Sequence, residues 1–361
     1  MKILFLELSN TTMYPEVCSD YQLDMLFHGL VKSGHEIYTL HDHWWMYESE
    51  KQQRPEDFNK IWGRGFTIYG TISDEEKALI HRVGLLNLAD SDYDYVVVGL
   101  HHTVVSQHDS ILRVLDFVSE TVGIPTQKIA VIDGWDRPEL NREIAGKTTY
   151  FKRELYPEYE DCAIPISFAF PEERMYVPPS FGSDGYYAGL FKCMDIAPLV
   201  PVNQSIDPSY MSTYIYDNEE DYYKMYRESE FAFTSKKGGW DTLRHYEIVA
   251  NGCIPLFVDI EKCPPKTLHL WPKKLLTEIK EAKLVPYEKI DGSLSYDYNM
   301  ENCSMVKIPV RRVFSDPIDL MEGQARNRKL CYFKNCLTDW FKQYGTTKYL
   351  AEYVLENVEN R

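Results

Sequence analysis

Nowhere in the 361 residues do about 18 apolar residues run together, so no segment is long and apolar enough to cross a bilayer as a helix. The sequence has no C-x-x-C pair. Its eight cysteines stand at positions 18, 162, 193, 253, 263, 303, 331 and 336, none with a histidine at zinc-finger spacing. That pattern points to scattered reduced thiols and a cytoplasmic setting. Positive charge is scarce, with 39 Lys and Arg against 55 Asp and Glu, a formal net charge of −16. A negative field of this size repels phosphates, so adhesion to nucleic acid or anionic membrane is disfavoured unless a local basic groove exists. Solenoid-length repeats and low-complexity tracts are absent as well.

What is present is an ordinary globular composition, 44% hydrophobic and 26% charged, on a chain long enough for about two self-sufficient domains. The start, Met1 to Leu8, is broken by Glu7 and followed by no small-residue cleavage site, so it reads as a first strand rather than a leader. Leu23, Leu26, Phe27 and Leu30 share one face of a helix that Gly34 ends, and Glu36–Leu40 is the next strand. Tyr95–Leu100 and Lys128–Asp133, joined by a helix over 109–120, continue the alternation as strands buried on both faces. Prolines 165, 171, 178 and 179, then Gly182 and Gly185, interrupt it and place a domain boundary near 165–185. Beyond the break the pattern predicts a helix over 219–230, a strand over 231–234, a helix over 242–251, a strand over 253–258 and a helical tail over 328–358. The expected fold is α/β: two Rossmann-like domains, residues 1–170 and 171–361, facing across a cleft at the carboxyl ends of their strands, with C-terminal helices.

The segment richest in chemistry is Thr234-Ser235-Lys236-Lys237-Gly238-Gly239-Trp240-Asp241-Thr242, which leads into a helix carrying Arg244 and Glu247. A strand that delivers two lysines and two glycines to a helix start brings cationic side chains, free backbone N–H groups and the positive helix end to one spot. A diphosphate suits that spot. Asp241 or Thr242 can cap the helix, and a carboxylate one turn inside it can accept from both hydroxyls of a ribose. The plain alternative is a solvated Lys-Lys-Gly-Gly loop with Arg244 and Glu247 as a surface pair.

The run Arg244-His245-Tyr246-Glu247-Ile248-Val249-Ala250-Asn251-Gly252-Cys253-Ile254-Pro255 resembles the donor-binding signature of GT-B glycosyltransferases, above all the exostosin-like form Arg-x-Tyr-Glu-x-x-x-x-Gly-x-x-Pro. It is also similar to the matching segment of phage DNA base glucosyltransferases. The resemblance implies a GT-B fold. It also implies Glu247 on the ribose of a nucleotide sugar, a UDP- or GDP-sugar being the expected donor, with Lys236, Lys237 and Arg244 on the diphosphate. Retaining members often carry a second glutamate eight positions earlier, where this sequence has Gly239, so inversion is favoured. No metal or other cofactor is expected. The acceptor would be a hydroxyl of a glycan or glycoconjugate.

An inverting transfer needs a base. Asp133, at the end of its predicted strand, is similar in layout to the strand-end aspartate that is the base of the phage enzymes; a turn cap is the alternative. His101 and His102 end the preceding strand and are the other candidates. Two further readings stay open: transfer to modified DNA, with positive charge gathered around Lys147, Lys152, Arg153 and 307–312, and a nucleotide-sugar binding protein without turnover. Asp92-Tyr93-Asp94 has the metal-binding form of GT-A enzymes but precedes a strand, the wrong end for a ligand, and reads as a turn. His41-Asp42-His43 reads as a polar loop. Trp240, inside the glycine loop, is the preferred sugar or base contact.

Overall fold

The structure, a computed structural model, describes residues 1–8, 19–90, 92–101, 107–176, 194–196, 216–257, 260–282, 284, 297–299, 304–306 and 323–360. The chain begins β1 (Lys2–Leu8), α1 (Tyr21–Lys32), β2 (Glu36–Thr39), α2 (Glu48–Gln53), α3 (Pro55–Phe58), α4 (Asp74–Lys77) and β3 (Ile80–Arg82). It continues through β4 (Tyr95–Leu100), α5 (His108–Val122), β5 (Ile129–Asp133), α6 (Arg142–Lys147), β6 (Thr149–Lys152) and β7 (Ile164–Pro165). Then come β8 (Met194–Ile196), α7 (Glu219–Arg227), β9 (Ser229–Thr234), α8 (Leu243–Ala250), β10 (Ile254–Phe257) and α9 (Lys273–Glu281). A hairpin of β11 (Asp297–Asn299) and β12 (Ser304–Val306) precedes α10 (Gly323–Tyr344) and α11 (Thr347–Glu359).

Two compact units result: Met1–Glu172 with Pro264–His269 and Gly345–Arg361, and Glu173–Cys263 with Leu270–Tyr344. The proline-rich break predicts a second domain over all of 171–361. Compactness instead returns 264–269 and the last helix to the first unit. The helical tail is two helices, because Thr346 turns extended (φ −95°, ψ 152°) and its hydroxyl accepts from the Tyr349 N–H at 3.2 Å to start α11.

The first unit is a seven-stranded parallel sheet in the order β3-β2-β1-β4-β5-β6-β7. Ile3, Leu4, Phe5, Val96, Val98, Ile129 and Val131 are inaccessible to solvent, as continuous β-branched runs predict for strands covered on both faces. The chain crosses back between β1 and β4, so this is the doubly wound, Rossmann-like class with its switch point there. α1 follows β1 and is buried from Gln22 to Val31. Two glycines let it sit that close. A Cβ on Gly99 of β4 would lie 2.6 Å from the Leu23 methyls, and one on Gly29 would lie 1.9 Å from the Thr347 carbonyl oxygen of α11. The His28 Nδ1 to Thr347 Oγ1 contact, 2.8 Å, fixes the same pair of helices.

In the second unit, β8, β9 and β10 form a parallel sheet in the order β10-β9-β8. Ser229 and Glu230, expected to close the helix over 219–230, instead begin β9, because Glu230 is drawn into a buried ion pair with Lys334 of α10. Gly252 (φ 68°) makes the left-handed turn between α8 and β10 that its position after the helix predicts.

Candidate functional site

Residues 234–257 fold as strand, loop, helix, strand: β9 delivers the loop 235–242, α8 follows, and β10 returns parallel to β9 with Phe257 opposite Thr234. The loop is held by one imidazole. His245 Nδ1 lies 2.7 Å from Thr234 Oγ1, and Nε2 lies 2.9 Å from the Trp240 carbonyl oxygen and 3.3 Å from Thr242 Oγ1. A carbonyl only accepts, so Nε2 carries the proton and Nδ1 accepts from the Thr234 hydroxyl. Burial pushes the His245 pKa down to about 3, which keeps the ring neutral and this pattern intact near neutral pH.

A pH dependence follows. An unfolded histidine titrates near 6.5. Because the folded value is the lower one, His245 contributes stability above pH 6.5 that is lost as pH falls toward about 3, at about 1.4 kcal/mol per pH unit. Chemical denaturation from pH 7 to pH 4, wild type against His245→Gln, is expected to show this slope reduced in the variant. Parallel slopes would contradict the assignment.

Trp240 is not an exposed sugar platform. It is 7% accessible, with its ring stacked against Phe257 (centroids 6.4 Å apart, 24° between planes) and Lys236 Nζ 5.8 Å from its centroid. The Trp240 contact anticipated from the loop position is therefore corrected: packing beneath the loop takes the indole. Lys237 donates its N–H to the Gly239 carbonyl at 3.0 Å, closing a tight turn over Gly238, while Gly239 is buried and Gly238 exposed. Asp241 is buried and accepts from the Tyr246 hydroxyl at 3.5 Å. Thr242 occupies the N-cap position of α8 (φ −135°, ψ 143°), and its side chain makes no cap hydrogen bond.

Behind the helix start lies a charged and phenolic cluster. Glu247 is 6% accessible and its Oε2 accepts from the Tyr222 hydroxyl of α7 at 2.6 Å. Arg244 is partly buried and its Nε has no hydrogen-bond partner. Burial alone would lower the Arg244 pKa, but Tyr226, Tyr222 and Glu247 outweigh it and hold the guanidinium charged. The surface-pair alternative for Arg244 and Glu247 is thus excluded by burial. Lys236, Lys237, Gly238, Gly239, Arg244 and Glu247 all lie on this one loop-and-helix segment.

The first unit gathers a second set of charges at the carboxyl edge of its sheet. Asp133 ends β5 and is inaccessible, as is Lys152, its direct cross-strand partner on β6. Lys152 Nζ is 2.9 Å from Asp133 Oδ1, Trp135 N–H donates to Oδ1 at 3.0 Å, and Tyr150 Oη donates to Oδ2 at 2.7 Å. Burial, then the Asp133 charge, push the Tyr150 phenol well above its usual pKa, so it stays a donor. With both oxygens engaged and no solvent access, Asp133 as found here is half of a structural ion pair rather than a waiting proton acceptor.

His101, which follows β4 at the switch point, is 8% accessible, and its backbone N–H donates to the Leu8 carbonyl at 3.0 Å. Near it lies Asp20, the N-cap of α1, whose carboxyl is raised above its ordinary pKa by burial. His102 lies outside the described residues. Sequence reasoning missed Asp20; an Asp one residue before a Tyr-Gln-Leu-Asp helix start is an N-cap signal that could have marked it. The sequence joining β1 to α1, residues 9–20, contains no glycine.

Three of the positions at which the DNA reading would need gathered positive charge are tied up in ion pairs. Lys152 is buried on Asp133; Arg153 is 3% accessible, pairs with Asp136 and donates to the Gly134 carbonyl; Lys147 pairs with Glu143 at 3.2 Å. Residues 307–312 lie outside the described residues. Asp94 accepts the Lys2 N–H at 2.8 Å, a turn contact in keeping with the reading of Asp92-Tyr93-Asp94. His43, expected in a polar loop, is fully buried: it stacks on Phe27 at 4.2 Å, with Nε2 3.3 Å from Glu7. Among the described residues no group of three or more His, Cys, Asp or Glu side chains is gathered as a metal site, and the described cysteines 162, 253, 263, 331 and 336 form no disulfide.

Comparison with protein-family models, with curated proteins and with solved structures finds no match to this chain. The structure itself establishes an α/β protein with a Rossmann-like parallel sheet, and no helix among the described residues is long and apolar enough to cross a membrane.

Proposed function

We propose that this chain is a glycosyltransferase of the GT-B kind, moving a sugar from a nucleoside diphosphate sugar to an acceptor hydroxyl of a glycan or glycoconjugate, with inversion and without a metal. The second unit takes the donor: diphosphate against the α8 start, Lys236, Lys237 and Arg244, and ribose on Glu247. The observation that carries this reading is a helix start whose N-cap side chain makes no cap bond, led in by a two-lysine, two-glycine loop and backed by a charged Arg244 whose Nε lacks a partner. Transfer would rest on positioning and on stabilising the departing diphosphate with those cations. The first unit takes the acceptor at the carboxyl edge of its sheet, where ligands of doubly wound folds bind. Since Asp133 is committed to Lys152 and Tyr150, the base is assigned to His101 or His102.

Calorimetric titration with UDP, GDP and ADP in the presence of a chelator tests the donor site. Binding of one of them without added metal is expected. Binding that vanishes with chelator and returns only with magnesium or manganese would contradict the metal-free reading. Consumption of the matching sugar nucleotide separates a transferase from a protein that only binds it.

A further inference from the structure

Glu7 is an acid in the interior of the first unit. Strand alternation puts it on the same face of β1 as Phe5, whose ring meets Phe27 of α1 at 5.3 Å, and its cross-strand partner Gly99 lies against Leu23. The Glu7 side chain is 1% accessible and neither of its oxygens has a hydrogen-bond partner. His43 Nε2 stands 3.3 Å from Oε2, an ion-pair separation, while the ring stacks on Phe27 and neither nitrogen is hydrogen-bonded. Asp24, one turn before Phe27 on α1, is inaccessible; Oδ1 accepts from Trp45 Nε1 and Oδ2 from the Asp20 N–H, both at 2.9 Å. Among the described residues neither Glu7 nor Asp24 is paired with a lysine or arginine.

Two carboxyls and one imidazole shut away from water cannot all keep their solution charges, because a buried carboxylate must be paired or take a proton. One imidazole compensates one carboxylate at most. The other has to be protonated. Burial first, then the charge of Glu7, push the Asp24 carboxyl well above the usual range, which marks Asp24 as the holder of that proton. The other groups facing it do not supply a counter-charge. Tyr69 stays a neutral phenol, held well above its usual range by burial and then by Asp24. Asp20 adds a third carboxyl, itself raised by burial, with Arg153 and His101 in range of it.

We propose that Glu7, Asp24 and His43 form a proton-holding site between β1 and α1, which makes the packing of α1 on the sheet a pH-sensitive device, tight at mildly acidic pH and loosened as pH rises. It acts at the switch point of a doubly wound sheet, where α1 begins, and it needs no ligand. In the unfolded chain an aspartate titrates near 3.9 and gives its proton up at neutral pH. A carboxyl whose folded value is the higher one contributes its full stability below about 3.9 and loses it as pH rises toward the folded value, at about ten-fold in the folding constant per pH unit.

The test is urea unfolding of the full chain at pH values from 5 to 9, for wild type, Asp24→Asn and Glu7→Gln. Each protein carries 5-fluorotryptophan, and the fluorine resonance of Trp45, whose indole N–H is bonded to Asp24, reports on this site. The wild-type folding constant is expected to fall at least about ten-fold further across the range than that of Asp24→Asn, which has no such proton to lose. Every other titrating group, His245 included, cancels in that comparison. Glu7→Gln removes the neighbouring charge at no cost in hydrogen bonds, so its profile is expected to lie between the other two. An Asp24→Asn profile parallel to wild type overturns the proposal. A Glu7→Gln profile parallel to wild type overturns the shared site, because Asp24 would then act alone. If Asp24→Asn fails to fold, Glu7→Gln decides by the same comparison: a shallower fall supports the site and parallel profiles overturn it.

Discussion

Lys152→Met is expected to destabilise the first unit by about 3–5 kcal/mol. Lys152 and Asp133 face each other on β6 and β5, both inaccessible, with Nζ and Oδ1 2.9 Å apart. Removing the cation while keeping a side chain of similar length leaves the carboxylate in a place where burial disfavours its charge, with only the Trp135 N–H and the Tyr150 hydroxyl to hold it. The double variant Lys152→Met, Asp133→Leu should recover part of the loss, since an apolar pair of similar volume satisfies the cavity, but not all of it, because Tyr150 and Trp135 N–H then lose their acceptor. Native-state hydrogen exchange of the β4–β6 amides reads this unit separately from the rest of the chain. A loss below about 1 kcal/mol in the single variant would show that the pair contributes no more than an exposed one.

Glu247→Ala is expected to lower donor affinity by about one to two orders of magnitude for each ribose hydroxyl bond it removes, a charge-assisted bond being worth roughly 1.5–3 kcal/mol. The same change strips the Tyr222 hydroxyl of its acceptor, so some stability should be lost as well. Melting temperature therefore has to be followed beside titration calorimetry. Affinity unchanged in a folded Glu247→Ala protein would refute the ribose assignment. By contrast, a variant of His101 such as His101→Gln should leave donor affinity nearly intact and lower turnover by roughly 10²–10⁴ if the imidazole is the base.

The parts of this molecule that were legible in the sequence are those with short-range causes. β1, β4 and β5 are largely apolar runs, α1 has one apolar face, and the 234–257 segment carries its own glycines, lysines and helix pattern. What was not legible depends on partners far away in the chain. Nothing near Asp133 shows that Lys152 will stand opposite it, because that follows from strand register. Nothing in the loop shows that Phe257 will stack on Trp240, or that Tyr222, 25 residues before Glu247, will bind its carboxylate. The division of the C-terminal helices is of the same kind. α11 belongs with the first unit because Gly29 allows it within reach of α1, a relation between residues more than 300 apart.

The central claim, that the second unit holds a nucleoside diphosphate at the loop and helix 235–247, is tested most directly by hydrogen–deuterium exchange of the full chain with and without saturating UDP or GDP and a chelator. The account predicts that ligand slows exchange at the amides from Gly238 to Arg244, the loop and first turn of α8, and that Glu247→Ala abolishes this protection at the same ligand concentration. Protection that appears instead at the start of α1 in the first unit, or nowhere while nucleotide is bound, would contradict it.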